Sequence, residues 1–323
     1  MLYPLTFHPI FKERVWGGRS LETLYRKPLP PGRPIGESWE IADRPGEASV
    51  IQNGPLAGKD LHWLMEHRAD EVLGSARSQS GRFPLLVKIL DAAEQLSLQV
   101  HPPARVAAVL GGEPKTEMWF IAHASPDAEL FVGLKRGVTR AEFERRIRAG
   151  TVAECFHRLA VRPGDAMFLP SGRVHAIGAG NVIFEIQQNS DTTYRVFDWN
   201  RVDRDGQARE LHVAQSLTSI DFDDFEPSLI PSRTECHAAG GIRRLVDDPL
   251  FRVDHTSMEA ARSLALTQPA CAILGVLEGH IRVDGAGQAV ELAAGQFCLV
   301  PAHVADATLR SLTAASFLRV QPG

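Results

Sequence analysis

The stretch PGDAMFLPSGRVH, residues 163–175, gives the strongest indication of the fold, because it places a short apolar strand between two turns. A shorter copy of it, AGQFCLVPAH, lies at residues 294–303. Both copies read Gly, five residues, Pro, beginning at Gly164 and at Gly295. Glycine and proline at such fixed positions are typical of the turns that bound strands. The sequence therefore predicts two copies of one β-rich fold.

The two copies differ where chemistry would be expected. The first copy continues to His175, whereas the equivalent position of the second copy is Asp306. The second copy also lacks a counterpart of the segment SLQVHP at 97–102, and its nearest candidate, LEGH at 277–280, is better interpreted as a tight turn between strands. We therefore expect a functional site in the first copy only.

Short apolar runs separated by Gly, Pro, Asp and Asn dominate the chain and predict strands. The clearest runs are 85–90, 96–100, 118–122, 129–134, 166–169 and 182–187. Helices are predicted at 60–73, which Gly74 ends, and at 139–149, which opens with the capping-box pattern Thr139-Arg140-Ala141-Glu142. Many strands with few helices predict a mainly β fold, either a barrel or a sandwich.

Composition limits the class of protein. A chain of 323 residues corresponds to roughly two domains, and its net charge of -4 argues against nucleic-acid binding as its main work. No apolar run reaches the roughly 18 residues of a membrane helix, and charged residues interrupt any signal-peptide core at residues 1–18. Four scattered cysteines without a C-x-x-C pair predict free thiols in a reducing compartment, with the cytoplasm as the default. A domain boundary is predicted near residues 221–241, where an acidic run meets prolines and glycines.

The densest group of chemistry-bearing residues is Gln99, His101, Glu117 and His175. On a strand, Gln99 and His101 project to the same face because side chains alternate. Two imidazoles, a carboxylate and an amide from neighbouring strands could converge on one metal ion. Nitrogen and oxygen ligands without a thiolate suit Zn, Mn, Fe, Co or Ni. Each histidine taken alone is more ordinarily a surface or core residue.

A second group follows the His175 strand. Glu185 lies in a run where residues 183, 185 and 187 share a face, and Asp191 and Arg195 follow in NSDTTYRVFD at 189–198. A turn with a surface ion pair between Asp191 and Arg195 is the simpler interpretation of their spacing.

These motifs together resemble a known family. Gly164-x5-Pro170-x-Gly172-x2-His175 resembles the second metal-binding motif of the cupin superfamily. Within it, the chain resembles the type I mannose-6-phosphate isomerases in their shorter bacterial form. The matching stretches span most of residues 8–200 and are FKERVWGG at 11–18, GESWEI at 36–41, FPLLVK at 83–88, SLQVHP at 97–102, KTEMW at 115–119 and the run through Arg195.

The resemblance implies two cupin (jelly-roll-like) β-barrel domains with a few helices. We expect a catalytic metal-binding domain at 1–230 and a degenerate domain without metal at 231–323. The resemblance also implies one Zn²⁺ per chain, bound by His101, Glu117 and His175, with Gln99 as a further ligand or a residue of the pocket wall.

The implied reaction interconverts mannose 6-phosphate and fructose 6-phosphate by moving a proton between C1 and C2 through a cis-enediol. Arg195 suits the cation that stabilises the developing charge, because its guanidinium stays charged and binds two oxygens. Glu185 and Lys115 are both candidates for the base, and Asp191 would orient Arg195 or move a proton. The expected contacts of the phosphorylated sugar are Ser97, Lys88, Lys115 and Arg195. Arg14 would be a further one, although a solvated surface role is its simpler interpretation.

Two alternatives remain at this point. Cupins with two histidines and a carboxylate also bind iron and activate oxygen, which would leave Lys115 and the run from Asp191 to Arg195 unused. A sugar-phosphate binding protein without activity could use the same scaffold. The chain has no room for the additional helical domain of longer family members, so we expect a more open site.

Overall fold

The computed structural model describes residues 1–78, 80–202, 206–237, 240–266 and 269–323. The strands before residue 200 are β1 (Ile10–Gly18), β2 (Ile35–Ile41), β3 (Asp43–Arg44), β4 (Glu47–Ala48), β5 (Leu85–Ala92), β6 (Leu98–Val100), β7 (Glu117–Ala124), β8 (Glu129–Leu134), β9 (Phe156–Ala160), β10 (Ala166–Leu169), β11 (His175–Ile177), β12 (Asn181–Gln188) and β13 (Tyr194–Phe197). Those after residue 230 are β14 (Glu235–His237), β15 (Gly240–Asp247), β16 (Phe251–Met258), β17 (Ser263–Ala265), β18 (Ala272–Glu278), β19 (His280–Gly285), β20 (Gln288–Ala293), β21 (Phe297–Val300), β22 (Thr308–Ser311) and β23 (Ala315–Pro322).

Helices are few and short. They are α1 (Ser20–Tyr25), α2 (Leu61–Leu73), α3 (Ala104–Ala107), α4 (Arg140–Ala149) and α5 (Val213–Ser219), with single 3₁₀ turns at Gly54–Leu56 and Val152–Cys155. None of the helices in the described ranges is long and apolar enough to cross a membrane. The predicted mainly β fold with a few helices is confirmed.

Each half of the chain forms two large sheets, and β3 and β4 form a separate two-stranded sheet in the first half. The first half pairs a six-stranded sheet, in the order β1-β2-β5-β12-β7-β10, with a five-stranded sheet, β13-β6-β11-β8-β9. The second half pairs β14-β15-β16-β23-β18-β21 with β17-β22-β19-β20. In the described residues the hydrogen-bonded ladders stay open, so each predicted barrel is a sandwich of two facing sheets. Leu90 and Trp119 from one sheet and Val132 and Ile177 from the other share one core of the first half.

The six-stranded sheet of the first half is buried on both faces, and alternation decides what each face carries. All eight residues of β5 are buried. Val87 and Ile89 point away from the facing sheet, into a core shared with the second half. Lys88, between them, points the opposite way. One strand thus provides apolar side chains for packing and a polar side chain for the interior of the sandwich.

The two six-stranded sheets pack back to back. Phe120 lies against His255 and Phe184 against Phe297, with ring centroids 5.2 and 5.3 Å apart. The N-terminal segment joins the same core, because Leu5 pairs with Leu299 of β21. This close-packed contact between the halves supports the sheet whose other face forms the polar interior of the first sandwich.

Candidate metal centre and active site

His101, Glu117 and His175 converge on one point between the two sheets of the first half. One nitrogen or oxygen from each lies within 4.8 Å of the others. The Nε2 atoms of both histidines stand 3.5 Å from a Glu117 carboxylate oxygen, His101 facing Oε2 and His175 facing Oε1. The three residues are 1%, 0% and 1% exposed, so the cluster is shielded from bulk water. The structure therefore brings together the three principal metal-ligand candidates.

Backbone contacts orient both imidazoles. His101 Nδ1 lies 2.8 Å from the carbonyl oxygen of Thr192, and His175 Nδ1 lies 2.9 Å from that of Arg173. A carbonyl oxygen only accepts, so each Nδ1 carries the hydrogen and each Nε2 is an unprotonated acceptor directed into the cluster. Metal-binding histidines are held by their other ring nitrogen in this way.

Electrostatics keep the cluster in the state that binds a cation. Burial lowers the pKa of His101 and brings that of His175 to about 3, so both rings are neutral near pH 7. Burial alone would raise the pKa of Glu117, but the Lys115 ammonium and His101 outweigh it and hold that pKa well below its usual range. Lys115 Nζ lies 2.6 Å from Glu117 Oε2. Neither oxygen of Glu117 has a hydrogen-bond partner of good geometry. A buried carboxylate is costly unless cations compensate its charge, and the Lys115 ammonium does so at Oε2.

Gln99 stands at the edge of this cluster. It pairs with His175 across β6 and β11, and its Nε2 lies 3.3 Å from His175 Nε2. The Ser97 hydroxyl donates to Gln99 Oε1 at 3.3 Å. Leu98 and Val100 point the other way into an apolar core, as alternation predicts. The amide therefore lies next to the predicted ligands and also lines the cavity above them.

Lys88 and Glu185 form a buried charged network beside the cluster. Lys88 Nζ lies 3.4 Å from Glu185 Oε2 and 3.4 Å from Glu37 Oε2. Trp119 Nε1 donates to Glu185 Oε1 at 2.9 Å. Burial opposes the ammonium form, but the surrounding carboxylates raise the pKa of Lys88 above its usual value. Lys88 is therefore a cation whose charge is already balanced by two acids.

Arg195 lies on β13, beside Gln99 of the neighbouring strand β6, and lines the same cavity. Its Nη1 donates to the carbonyl oxygen of Glu210 at 2.9 Å, and its Nε is buried without a hydrogen-bond partner. Burial, with Arg209 nearby, lowers the pKa of Arg195 from its usual value. The anchor of Arg195 is thus a backbone carbonyl, whereas the sequence suggested a surface pair with Asp191.

A cavity of about 430 Å³ opens above the metal-ligand cluster. Its walls contain every other predicted site residue: Ser97, Lys88, Lys115, Glu185, Asp191, Arg195 and Arg14, with Gln99. The cavity wall carries both cationic and acidic side chains. This mixture suits a ligand that has both a phosphate and hydroxyl groups.

Glu37 and Arg209 are charged residues of the cavity wall that the sequence interpretation missed. Glu37 accepts hydrogen bonds from Trp39 at 2.7 Å and Arg14 at 2.6 Å, and although burial works against it, Lys88 and Arg14 bring the pKa of Glu37 to about 2. Glu37 lies in the matching stretch 36–41, so alternation with Trp39 could have indicated it. Arg209 enters from the segment after β13, and no local pattern marks it.

The fold and the site define the class: a cupin-like protein of two β-sandwich halves, with one candidate metal centre among the described residues. The model of the type I phosphomannose isomerase catalytic domain matches residues 5–113. Mannose-6-phosphate isomerase ManA of Bacillus subtilis is 38% identical over 304 residues, covering 92% of this chain and 93% of that protein. The mannose-6-phosphate isomerase of Streptococcus mutans is 34% identical over 303 residues, covering 93% of both.

Solved structures agree with these relatives. The crystal structure of the mannose 6-phosphate isomerase from Bacillus subtilis superposes with a TM-score of 0.90 at 31% identity, covering 99% of this chain and 100% of that one. An H99Q mutant of phosphomannose isomerase from Salmonella typhimurium gives 0.78 at 17% identity, which shows likeness of fold. The chain belongs to the type I phosphomannose isomerase family.

Proposed function

We propose that the protein is a zinc-dependent isomerase that interconverts mannose 6-phosphate and fructose 6-phosphate. The observation that carries the proposal is the buried His101–Glu117–His175 cluster beside a cavity lined by lysine and arginine, whose wall residues Gln99 and Lys115 contact the cluster. Relatives named for this activity match almost the whole chain, which supports the same assignment.

The residues present fit one divalent cation. Two neutral imidazoles with unprotonated Nε2 atoms face the Glu117 carboxylate, and this donor set suits zinc. Gln99 would be a fourth ligand through its amide oxygen, once the amide turns over. When bound, the metal would supply Lewis-acid stabilisation of the negative charge on the sugar oxygens.

The cavity offers distinct places for the two ends of the substrate. Lys88 is balanced by Glu37 and Glu185, so we assign it to sugar hydroxyls together with Ser97. Arg195 offers a guanidinium whose Nε has no protein partner, and Arg209 lies beside it. Guanidinium groups bind phosphate or enediolate oxygens two at a time. We assign this side of the cavity to the most negative part of the substrate.

Proton transfer between C1 and C2 needs a group that accepts the proton from one carbon and returns it to the other. Lys115 and Glu185 both reach the cavity wall near the metal-ligand cluster. The hydrogen bond from Trp119 and the ammonium of Lys88 fix the direction of the Glu185 carboxylate. Lys115 is held against Glu117 and His101. We propose these two residues as the proton-transfer groups, with Asp191 at the cavity rim.

Neither alternative makes comparable use of the cavity. An oxygenase would use the metal ligands and leave Lys115, Glu185 and Arg195 without a task. A binding protein would not require a proton-transfer group beside a metal centre.

The phosphorylated substrate also supports a cytoplasmic location, because a phosphate ester is charged and does not cross a bilayer unaided.

The test is NMR of mannose 6-phosphate in D₂O with the zinc-loaded protein. We expect fructose 6-phosphate to form and deuterium to enter at the carbon that exchanges its proton. His175→Ala serves as the inactive control, with circular dichroism to verify its fold. A folded, zinc-loaded protein that forms no ketose from this substrate would exclude the proposed activity.

A further inference from the structure

The two six-stranded sheets have the same topology. The order β1-β2-β5-β12-β7-β10 in the first half corresponds strand for strand to β14-β15-β16-β23-β18-β21 in the second. In both halves the last pairing places the strand of the Gly-x5-Pro motif at the edge of the sheet, as β10 on β7 and β21 on β18. Residues of the two halves can therefore be compared by cross-strand register.

The register aligns the two interior faces. In the first half one row across the sheet reads Trp39, Lys88, Glu185, Trp119, Met167. The corresponding strands of the second half carry an equivalent row of cross-strand pairs, which reads Arg244, Asp254, Arg319, Leu274, Cys298. The sequence repeat gives the same alignment independently, because Met167 and Cys298 hold the same place after Gly164 and Gly295.

The same alignment explains why the second half cannot hold the metal. Leu169 pairs with Glu117, and Val300, its counterpart in the repeat, pairs with Ala272. The carboxylate of the first site is thus replaced by a methyl group. Asp306, which replaces His175 in the repeat, is exposed and accepts from the backbone N–H of Ala286 in a turn.

The neighbouring positions remain charged, with the signs exchanged. Arg319 stands where the first half has Glu185, and Asp254 stands where it has Lys88. Arg243 and His255, one residue away on the same strands, face the first half: Arg243 Nη1 donates to the carbonyl oxygen of Gly164, and His255 packs on Phe120. Arg244, Asp254 and Arg319 therefore lie on the opposite face, which is the interior face of the second sandwich.

A cavity of about 580 Å³ opens on this face and overlaps the corresponding active-site positions, because Ile242, Asp254 and Arg319 align with Glu37, Lys88 and Glu185. Its walls are Glu235, Ile242, Arg244, Arg252, Asp254, Arg319 and Gln321. Three guanidinium groups and two carboxylates thus line the cavity, and the Asp247 carboxylate beside it pairs with both Arg244 and Arg252. Arg244 pairs with Asp254, and Arg252 Nε donates to Asp247 at 3.0 Å, so these two arginines are held in position.

We propose that this cavity is a second, metal-free binding site for a small molecule that carries a phosphate group, such as a phosphorylated sugar. Converging guanidinium groups bind phosphate oxygens in pairs, and Gln321 and Asp254 would accept or donate to hydroxyl groups. The second half would then bind a ligand on the same face of the corresponding sheet while lacking the metal ligands. This assignment stands independently of the reaction proposed for the first site.

The test is calorimetric titration of the full-length, zinc-loaded protein with inorganic phosphate. We expect two phosphates per chain for the unaltered protein and one for Arg319→Gln, with isomerase activity unchanged. Arg252→Gln, at a more exposed position, should weaken the second site about tenfold or more, as loss of a charge-assisted hydrogen bond does. Arg310→Gln removes the same charge from β22 and should keep both sites.

Variants of the first site separate the two assignments. Arg195→Ala should remove one phosphate and leave the one that depends on Arg319. Should Arg319→Gln and Arg252→Gln both bind phosphate as the unaltered protein does, the second site does not exist. The same holds if Arg195→Ala abolishes all binding. If instead Arg319→Gln alone abolishes all binding, the second site stands and the phosphate assignment of the first cavity fails.

Discussion

Individual residues of the site depend on contacts that hold each charged group in one state. Backbone carbonyls orient His101 and His175, and Lys115 keeps Glu117 ionised. The sequence indicated these residues because strand alternation is a local property, which also brings Gln99 to the same face as His101. Arg209 escaped prediction because its position depends on a long segment after β13, which only the folded chain brings to the cavity.

Arg195 provides a first prediction. Arg195→Ala should bind zinc as the unaltered protein does, because its closest contact is the carbonyl oxygen of Glu210 rather than a metal ligand. Turnover should fall by about a hundredfold or more, since a preorganised cation that stabilises developing charge is lost. Metal analysis and steady-state kinetics measure the two effects. Arg105→Ala on the exposed side of α3 is the matched control, and a full turnover rate in Arg195→Ala would remove Arg195 from the mechanism.

Glu185 provides a second prediction. Glu185→Gln keeps an oxygen that accepts the Trp119 hydrogen bond but loses the negative charge beside Lys88. If Glu185 transfers the proton, kcat falls by about two orders of magnitude or more while KM changes little. A variant with raised KM and unchanged kcat would assign Glu185 to substrate binding and leave Lys115 as the proton-transfer group.

Among the secondary-structure elements, the helix ends were predicted well because capping is local. Asp60 accepts from the backbone N–H of Trp63 at 2.7 Å to begin α2, and Gly74 follows its last residue. The helix predicted at 139–149 is α4, and Gly150 ends it in the left-handed conformation with φ 70°. Its capping box is only half formed. Thr139 accepts from the N–H of Glu142, but the Glu142 side chain pairs with Arg145 and Arg146.

The Thr139 cap gives a third prediction. Thr139→Ala should lower the free energy of unfolding by about 1 kcal/mol, because one N–H of the first turn loses its partner. The helix lies away from the cavity, so kcat and KM should stay unchanged. Urea unfolding followed by circular dichroism measures the loss, and Thr139→Ser is the control that keeps the hydroxyl. A stability equal to that of the unaltered protein would show that the cap contributes nothing.

For the molecule as a whole, the repeated Gly-x5-Pro motif predicted two β-rich halves and a metal-free second copy. The boundary predicted between residues 230 and 231 lies in the segment between β13, which ends at Phe197, and β14, which begins at Glu235. The back-to-back packing of the halves was not predicted. Apolar residues such as Val87 and Phe184 look the same in sequence whether they face their own sandwich or the other half.

His255 at this contact gives a fourth prediction. Burial, with Arg243 nearby, lowers the pKa of His255 to about 4. Unfolding returns the pKa to about 6.5, so the unfolded chain binds more protons between these values and stability falls as the pH is lowered from 6.5 to 4. His255→Gln should flatten this part of the stability profile, as measured by urea unfolding. The stability of each protein is compared with its own value at pH 8. Parallel stability profiles of the two proteins between pH 6.5 and 4 would exclude His255 as a cause of the fall in stability.

Zinc titration of the chelator-treated protein, with mannose 6-phosphate as substrate, is the most direct test of a metal-dependent isomerase. Formation of fructose 6-phosphate should rise in proportion to added zinc and level off at one zinc per chain, because His101, Glu117 and His175 form one buried cluster. His175→Ala should remain inactive throughout the titration. Turnover that is independent of metal, or its absence at one bound zinc per chain, would contradict this function.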